Sequence, residues 1–213
     1  MIETMRKFFV LAVVAMMATI GVTAQNVRHD IGTFTLKPAA GLSVGSLGGS
    51  FTYYISDLGT RTEFEDEMRG AFVGGVEAEY YILNWLSASG GAYYTMQGWR
   101  MEEKVSGSKW NVNLDYLNIP ILANFYVLKG FALKVGIQPG FLLSAKYDGY
   151  NIKDQCKGFN LSLPIGLSYE FKNGITIDWN TNFGLTPINK ESTTDDNYRS
   201  NCAWLTLGYK FSL

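Results

Sequence analysis

Few residues in this chain could do chemistry, and they do not form a catalytic pattern. His29 is the only histidine and precedes the first predicted strand, so a Ser-His-acid triad would lack its base in the rest of the chain. We expect His29 to be a solvated linker residue. Carboxylates cluster at Glu63, Glu65, Asp66 and Glu67, which could bind calcium weakly but more often form a solvated acidic surface. The sequence therefore predicts a protein that is not an enzyme.

Cofactor and metal patterns are also missing from the sequence. The glycine-rich stretch at 45–49 lacks the Lys-Ser/Thr pair of a phosphate-binding loop, and no helix is predicted after it. Histidines and cysteines do not occur at metal-ligand spacing. We therefore expect no cofactor and no metal. With a net charge of -1 and no basic cluster, the chain is not expected to bind nucleic acid.

The N-terminal residues have the composition of a secretory leader. A positively charged pair at 6–7 precedes an uncharged apolar run at 8–20, and residues 22–24 suit a cleavage site. The apolar run is shorter than the ~20 residues that a membrane-spanning helix needs. We predict a cleaved signal peptide at 1–24 and a single mature domain at 25–213.

Alternation with a period of two dominates the mature chain. Between 131 and 147 the odd-numbered residues are all apolar or aromatic, whereas nearly all even-numbered residues are small, polar or charged. This period indicates a β-strand, and the segment is long enough to cross a membrane, which takes ~9–11 residues. The alternation recurs along the chain. The predicted strands lie at about 33–46, 71–82, 86–97, 113–127, 131–147, 159–171, 175–188 and 201–213.

The connections between these strands alternate in length. Short turns such as Asn173-Gly174 alternate with long polar connections, as in outer-membrane barrels. We predict an all-β protein, an eight-stranded antiparallel up-and-down transmembrane β-barrel in the bacterial outer membrane. Both termini then lie on the periplasmic rim, and outer-membrane lipid surrounds the wall. The alternative is a soluble periplasmic lipocalin-like barrel, in which the apolar residues would line a ligand cavity.

Two further features of the predicted strands lead to expectations. Aromatic residues, among them Tyr81, Trp85 and Tyr209, cluster near the strand ends, where membrane barrels carry aromatic girdles. Because proline cannot donate a hydrogen bond to a neighbouring strand, the prolines within the strands are expected at bulges. These prolines are Pro120, Pro139 and Pro164.

The lumen of such a barrel is just wide enough for side chains to fill it. Charged residues that point inwards must pair there, because an unpaired buried charge is costly. The composition favours a salt-bridged plug over an ion path or a binding site. The predicted inward charges are Glu77, Glu79, Asp115, Lys134, Lys146, Glu170, Asp178 and Lys210.

Cys156 and Cys202 fall on the same rim of the predicted barrel, in a long loop and at the start of the last strand. The compartment permits oxidation, so the two cysteines could form a disulfide, which would close a loop worth about 4 kcal/mol in the chain-entropy model. They could equally both be free thiols.

Several segments resemble a known family of outer-membrane proteins. Tyr116-Leu117-Asn118-Ile119-Pro120 resembles the Tyr-Leu-x-Ile-Pro strand of PorT-like outer-membrane barrels, and segments 136–146 and 182–186 resemble later strands of that family. The family often has Glu where this chain has Asn118. The resemblance covers about 30–213 and implies the same barrel fold. By analogy with PorT, it also implies an accessory role in protein secretion.

These observations predict a non-enzymatic outer-membrane barrel with a side-chain-filled lumen. Its long extracellular loops would serve a structural or surface-interaction role. The alternative is an accessory subunit of an outer-membrane secretion system, with other envelope proteins as partners.

Overall fold

The computed structural model describes residues 29–48, 52–55, 60–103, 109–190 and 199–213. Side chains are described for 29–45, 70–98, 111–190 and 199–213. The predicted signal peptide at 1–24 and the side chains of Glu63, Glu65, Asp66 and Glu67 lie outside these residues. In the described ranges, no helix is long and apolar enough to cross a membrane.

The described chain is almost entirely β-strand, apart from a 3-10 turn at Lys153–Gln155. The strands are β1 (Phe34–Gly48), β2 (Thr52–Ile55), β3 (Thr60–Leu83), β4 (Leu86–Glu103), β5 (Lys109–Asn118), β6 (Ile121–Leu128), β7 (Phe131–Tyr147), β8 (Tyr150–Asn151), β9 (Phe159–Glu170), β10 (Ile175–Gly184), β11 (Arg199–Tyr209) and β12 (Phe211–Ser212).

The antiparallel pairings close these strands into a ring. β5 and β6 both pair with β4 and β7, so together they form one wall strand. β11 and β12 form another, because both pair with β1. β1 also pairs with β3, which completes the circle through β4, β7, β9 and β10. The protein is therefore a closed eight-stranded antiparallel β-barrel, as the alternation predicts.

The wall strands bury their polar face and expose their apolar face. Along β9, every second residue is buried, and these residues include Asn160, Ser162, Ser168 and Glu170. On the outer face, Leu207 is 61% exposed. A soluble lipocalin-like barrel has the opposite arrangement, with apolar side chains inside. The exposed apolar wall is therefore suited to contact with lipid, as in transmembrane barrels.

The two ends of the barrel differ, as the connection lengths predict. At one end lie short turns such as Asn173-Gly174, where Gly174 adopts a φ of 84° that favours glycine. The start of β1 and the C-terminal Leu213 lie at this end as well, because the Leu213 amide donates a hydrogen bond to the Phe34 carbonyl. We call it the short-turn end. The described parts of the long connections, 148–158 and 185–190, lie at the opposite end, the long-loop end.

The expectation that prolines mark bulges is wrong. Pro120 separates β5 from β6, yet the register of both strands against β4 is continuous. Pro164 pairs with Asn182 in a regular register with β10. A register shift instead occurs between Asp115 and Tyr116 in the pairing of β5 with β7. The wall tolerates each missing proline N–H without inserting a residue.

Aromatic residues cluster at the short-turn end on the outer face. Tyr209 packs against Phe211 with ring centroids 4.7 Å apart, and Tyr169 packs against Phe171 at 4.8 Å. Tyr81 does not belong to this girdle. It is 2% exposed and points into the lumen.

Candidate functional site

The lumen holds a cross-braced set of charges, which we call the central ionic layer (Lys37, Glu77, Lys134 and Asp178). The Lys37 ammonium donates to both carboxylate oxygens of Asp178, each at 2.9 Å. The Lys134 ammonium lies 2.7 Å from Glu77 Oε1 and 3.4 Å from Asp178 Oδ1. Lys37 Nζ lies 3.6 Å from Glu77 Oε1, which closes the set. Each side chain is at most 4% exposed, so these charges depend on one another.

Lys37 and Glu77 lie opposite each other on the neighbouring strands β1 and β3, but the other contacts join strands that are not neighbours in the wall. Glu77 on β3 and Lys134 on β7 are separated around the ring by β4 and the β5–β6 wall strand. Lys37 on β1 and Asp178 on β10 are separated by the β11–β12 wall strand. The central ionic layer therefore spans the lumen. Two positive and two negative groups balance within it.

A second set of charges lies nearer the short-turn end, and we call it the mouth ionic layer (Glu79, Glu170 and Lys210). The Lys210 ammonium lies 2.9 Å from Glu79 Oε2 and 2.8 Å from Glu170 Oε2. It also donates to the hydroxyls of Tyr81, at 2.9 Å, and Tyr126, at 3.2 Å. One ammonium thus faces two carboxylates and two phenols.

The other carboxylate oxygen of Glu79, Oε1, also accepts hydrogen bonds. Tyr126 donates its hydroxyl proton to Glu79 Oε1 at 2.6 Å, and Ser87 donates to the same oxygen. The two Asn124 Nδ2 hydrogens are shared among Glu79 Oε1 at 3.1 Å, Ser87 Oγ at 3.0 Å and Ser89 Oγ at 3.1 Å. This satisfaction of buried polar groups is what makes a charged interior tolerable.

His29 completes the mouth ionic layer from outside the strands. Its Nε2 lies 2.8 Å from Glu170 Oε1, and its ring stacks on the ring of Tyr81 with centroids 4.5 Å apart. The imidazole is only 13% exposed. The expectation of a solvated linker residue is therefore wrong, because the turn that follows His29 folds it back into the lumen.

A pocket of about 450 Å³ opens at the short-turn end beside His29. Tyr81, Tyr126 and Trp85 contribute its aromatic lining, and Lys129 and Asn84 lie at its edge. Within the described chain, no group of three or more His, Cys, Asp or Glu side chains is arranged to hold a metal ion.

At the long-loop end, two connections fold together, and we call residues 148–158 and 185–190 the loop platform. The Lys157 amide donates to the Ile188 carbonyl at 2.7 Å, and the Lys190 amide donates to the Gln155 carbonyl at 3.1 Å. Cys156 and Asn189 form an antiparallel bridge between the two segments. Backbone hydrogen bonds therefore join the two segments of the platform.

The loop platform packs into the lumen through apolar side chains. Cys156 and Ile188 are buried against inward residues of β5 and β7, with Ile152 packed beside them. The inward residues of this cluster are Val112, Leu114, Tyr116, Leu142 and Ala145. The cluster caps the polar interior, so the lumen is filled from the mouth ionic layer to the loops.

The structure brings together most of the predicted inward charges. Those buried in the two ionic layers are Glu77, Glu79, Lys134, Glu170, Asp178 and Lys210. Sequence reasoning missed Lys37, which is 3% exposed. The sequence feature that places Lys37 inside is its position between Leu36 and Pro38, which both point outwards.

Asp115 and Lys146 were expected inside but lie on the outer face. Asp115 alternates with the buried Leu114 and Tyr116, and the Tyr94 hydroxyl hydrogen-bonds to it. Lys146 lies beyond the register shift of β7, after which the odd-numbered Ala145 is the buried residue. The extra residue in β7 reverses the alternation, which turns Lys146 outwards.

In the structure the two cysteines are unpaired and lie in different clusters. Cys202 packs with Tyr93 and Trp204 inside the wall, whereas Cys156 belongs to the loop platform. Burial raises the pKa of the Cys156 thiol above its usual value.

Several solved barrels are similar to this chain, whereas no curated protein matches it. Ail of Yersinia pestis is 16% identical with a TM-score of 0.49, and the match covers 85% of this chain and 100% of Ail. OprG of Pseudomonas aeruginosa is 13% identical with a TM-score of 0.46, covering 87% and 98%. Neisserial surface protein A is 17% identical with a TM-score of 0.45, covering 84% and 97%. Similarity at this level says nothing about function.

The PorT-like resemblance is supported only at the level of the outer-membrane barrel, and these comparisons point to no PorT-like member. The family model for the outer membrane protein beta-barrel domain matches residues 23–190, which is most of the chain. The match includes β1 to β10 and both ionic layers apart from Lys210. The protein therefore belongs to this family of outer-membrane β-barrels.

Proposed function

We propose that this protein is a non-enzymatic barrel with a closed lumen, and that it acts through the loop platform. The observation that carries the proposal is the filled interior, in which the two ionic layers and the apolar cap leave no open path along the described wall. A wide solute pore is incompatible with salt bridges that span the lumen. The ordered platform is then the part that can meet other molecules.

We further propose that the loop platform faces the cell exterior and that the short-turn end faces the periplasm. Long loops on the outside and short turns on the inside are the general arrangement of outer-membrane barrels. The leader at 1–24 would be cleaved during export. Residues suited to test this orientation are Tyr150, which is 77% exposed on the platform, and Asn173, which is exposed in a short turn.

The orientation is tested with single cysteines in intact cells. A membrane-impermeant maleimide should label Tyr150→Cys before lysis and Asn173→Cys only after lysis. The native Cys156 and Cys202 are both buried and give the background. Labelling of Asn173→Cys in intact cells, with Tyr150→Cys protected, would invert the proposed orientation.

The closed lumen is tested by conductance of the purified barrel in planar bilayers. We expect no discrete conductance steps under conditions in which a porin gives them. Regular open steps from the wild-type protein would contradict a closed lumen and point to an ion path.

The interaction role is tested by photo-crosslinking from position 150 in cells. A second barrel keeps the photoreactive residue at position 150, has residues 151–157 replaced by a flexible glycine-serine segment, and must keep its heat-modifiable mobility in SDS. We expect a protein adduct that disappears with the replaced platform and persists with the lipid-facing control Leu207→Ala. Adducts to lipid alone would contradict the interaction role and favour a purely structural role. A complex that survives purification would indicate an accessory subunit of a larger assembly.

A further inference from the structure

The chain segment before β1 makes a turn that carries His29 into the short-turn mouth, and we call residues 29–33 the N-terminal latch. The Thr33 amide donates to the Asp30 carbonyl at 3.0 Å, and Gly32 adopts a φ of 89°. The Gly32 amide donates to the Tyr81 carbonyl at 2.8 Å, and the Tyr81 amide donates to the Thr33 carbonyl at 3.0 Å. The latch is thus fixed to the end of β3 by backbone bonds.

The side chain of His29 is held by two contacts inside the mouth. Nε2 lies 2.8 Å from Glu170 Oε1, and the ring stacks on Tyr81. Both partners are themselves tied to Lys210, which lies 2.8 Å from Glu170 Oε2 and 2.9 Å from the Tyr81 hydroxyl. His29 is therefore the outermost member of the mouth ionic layer.

The charge of the mouth ionic layer depends on His29. Glu79 and Glu170 carry two negative charges, and Lys210 carries one positive charge. Tyr81 and Tyr126 are neutral phenols that face the same centre. A protonated His29 makes this set neutral, whereas a neutral His29 leaves one excess negative charge in a buried place, which is costly.

Two further charged groups lie near the latch. Lys129 lies at the edge of the pocket beside His29, on the turn after β6, and Asp30 is exposed in the latch itself. The contact that changes with protonation is thus the one between the imidazole and Glu170. A charge-assisted hydrogen bond is roughly twice as strong as a neutral one.

We propose that the N-terminal latch is a pH-sensitive closure of the short-turn mouth. Under acidic conditions, the imidazolium binds Glu170 and the latch covers the mouth. When His29 loses its proton, its side chain leaves the mouth more often, while the backbone bonds to Tyr81 keep the rest of the latch in place. The pocket beside Tyr81, Trp85 and Tyr126 then becomes more accessible. This inference does not depend on the role proposed for the loop platform.

The test uses the barrel purified from membranes without a histidine tag, so that His29 is the only imidazole in the sample. The ring ¹⁵N and ¹³C signals are followed from pH 5 to pH 9 in wild type and Glu170→Gln. We expect Glu170→Gln to change the ring signals, because it removes the carboxylate that contacts Nε2. Asp30→Asn is the matched control, since it removes a nearby exposed carboxylate, and it should leave the ring signals close to those of wild type.

A second readout reports the closure itself. Asn84→Cys, at the edge of the pocket, is labelled with a maleimide at pH 5.5 and pH 8.5, and its rate is divided by that of Asn173→Cys to remove the intrinsic effect of pH. We expect this ratio to rise on the order of tenfold at pH 8.5, which corresponds to the loss of a charge-assisted hydrogen bond. His29→Gln keeps a donor but cannot take a charge, and it should give the same ratio at both pH values.

Two results would overturn the proposal. One is a wild-type ratio that does not change with pH. The other is a pH-dependent ratio that persists unchanged in His29→Gln. Either result would show that His29 only fills space in the mouth.

Discussion

Lys134 Nζ lies 2.7 Å from Glu77 Oε1, although 57 residues separate the two along the chain. β3 and β7 do not touch through their backbones, so this contact joins opposite parts of the wall. Together with the bidentate contact between Lys37 and Asp178, it forms a network of charges that stabilise one another across the lumen. The stability of the barrel should therefore respond strongly to single changes in this layer.

Replacing Lys134 with methionine should destabilise the barrel by about 3–5 kcal/mol, because it leaves the buried Glu77 carboxylate without its closest cation. The midpoint of urea unfolding in detergent micelles measures the change. In the double variant Lys134→Met/Glu77→Gln, the excess charge is removed and a large part of the loss should be recovered. A double variant that loses the sum of both single losses would contradict a coupled layer.

Replacing Lys146 with methionine should change the free energy of unfolding by less than about 0.5 kcal/mol, as for an ordinary surface position. Lys146 lies on the same strand as Lys134 but on the outer face, so the pair is a matched comparison of one substitution in two environments. Acetylation of the folded barrel followed by peptide mass analysis gives an independent check. Lys146 should be modified and Lys134 protected.

A charge on the outer face should be costly where that face meets lipid. Ile165 is 48% exposed in the middle of β9, and Ile165→Arg should cost about 2–4 kcal/mol of stability in a bilayer. Tyr150→Arg on the loop platform is the control and should cost little. Folding into lipid vesicles, followed by the heat-dependent shift in gel mobility, measures both. Equal costs at the two positions would speak against a lipid-facing wall.

The Cys156 thiol should react slowly with iodoacetamide in the folded barrel. Burial raises its pKa, so at pH 8 a smaller fraction is thiolate than in a free cysteine, and the fraction grows as the pH rises. Boiling in SDS should make both cysteines reactive at once. Because both are free thiols, a reductant should not change the gel mobility. A mobility change on reduction would indicate a disulfide.

The wall could be predicted from the sequence, and the exceptions have identifiable causes. Alternation predicts the buried positions of β9 and β10, because one residue step always reverses the face of a regular strand. The same rule fails at Lys146. The register shift that turns Lys146 outwards arises where β7 pairs with β5, and the alternation within β7 alone does not reveal it.

The contacts of the mouth ionic layer were harder to predict. His29 lies outside any strand, so no periodic pattern gives its direction. Its position depends on the turn at Gly32 and on a carboxylate 141 residues later in the chain. Alternation does assign Lys37 to the inner face, but its partner Asp178 follows only from the closure of the ring.

The crossed contacts of the central ionic layer also bear on how the barrel is assembled. A register slip of one residue between two strands would exchange the inner and outer faces of a strand, and its charged side chains would then point into the bilayer. Since Lys37 and Lys134 reach their carboxylates only when several strand pairs are in the correct register, the charges penalise misaligned closure. The interior thus acts as a check on assembly, in which a barrel that closes out of register lacks the bonds that would hold it shut.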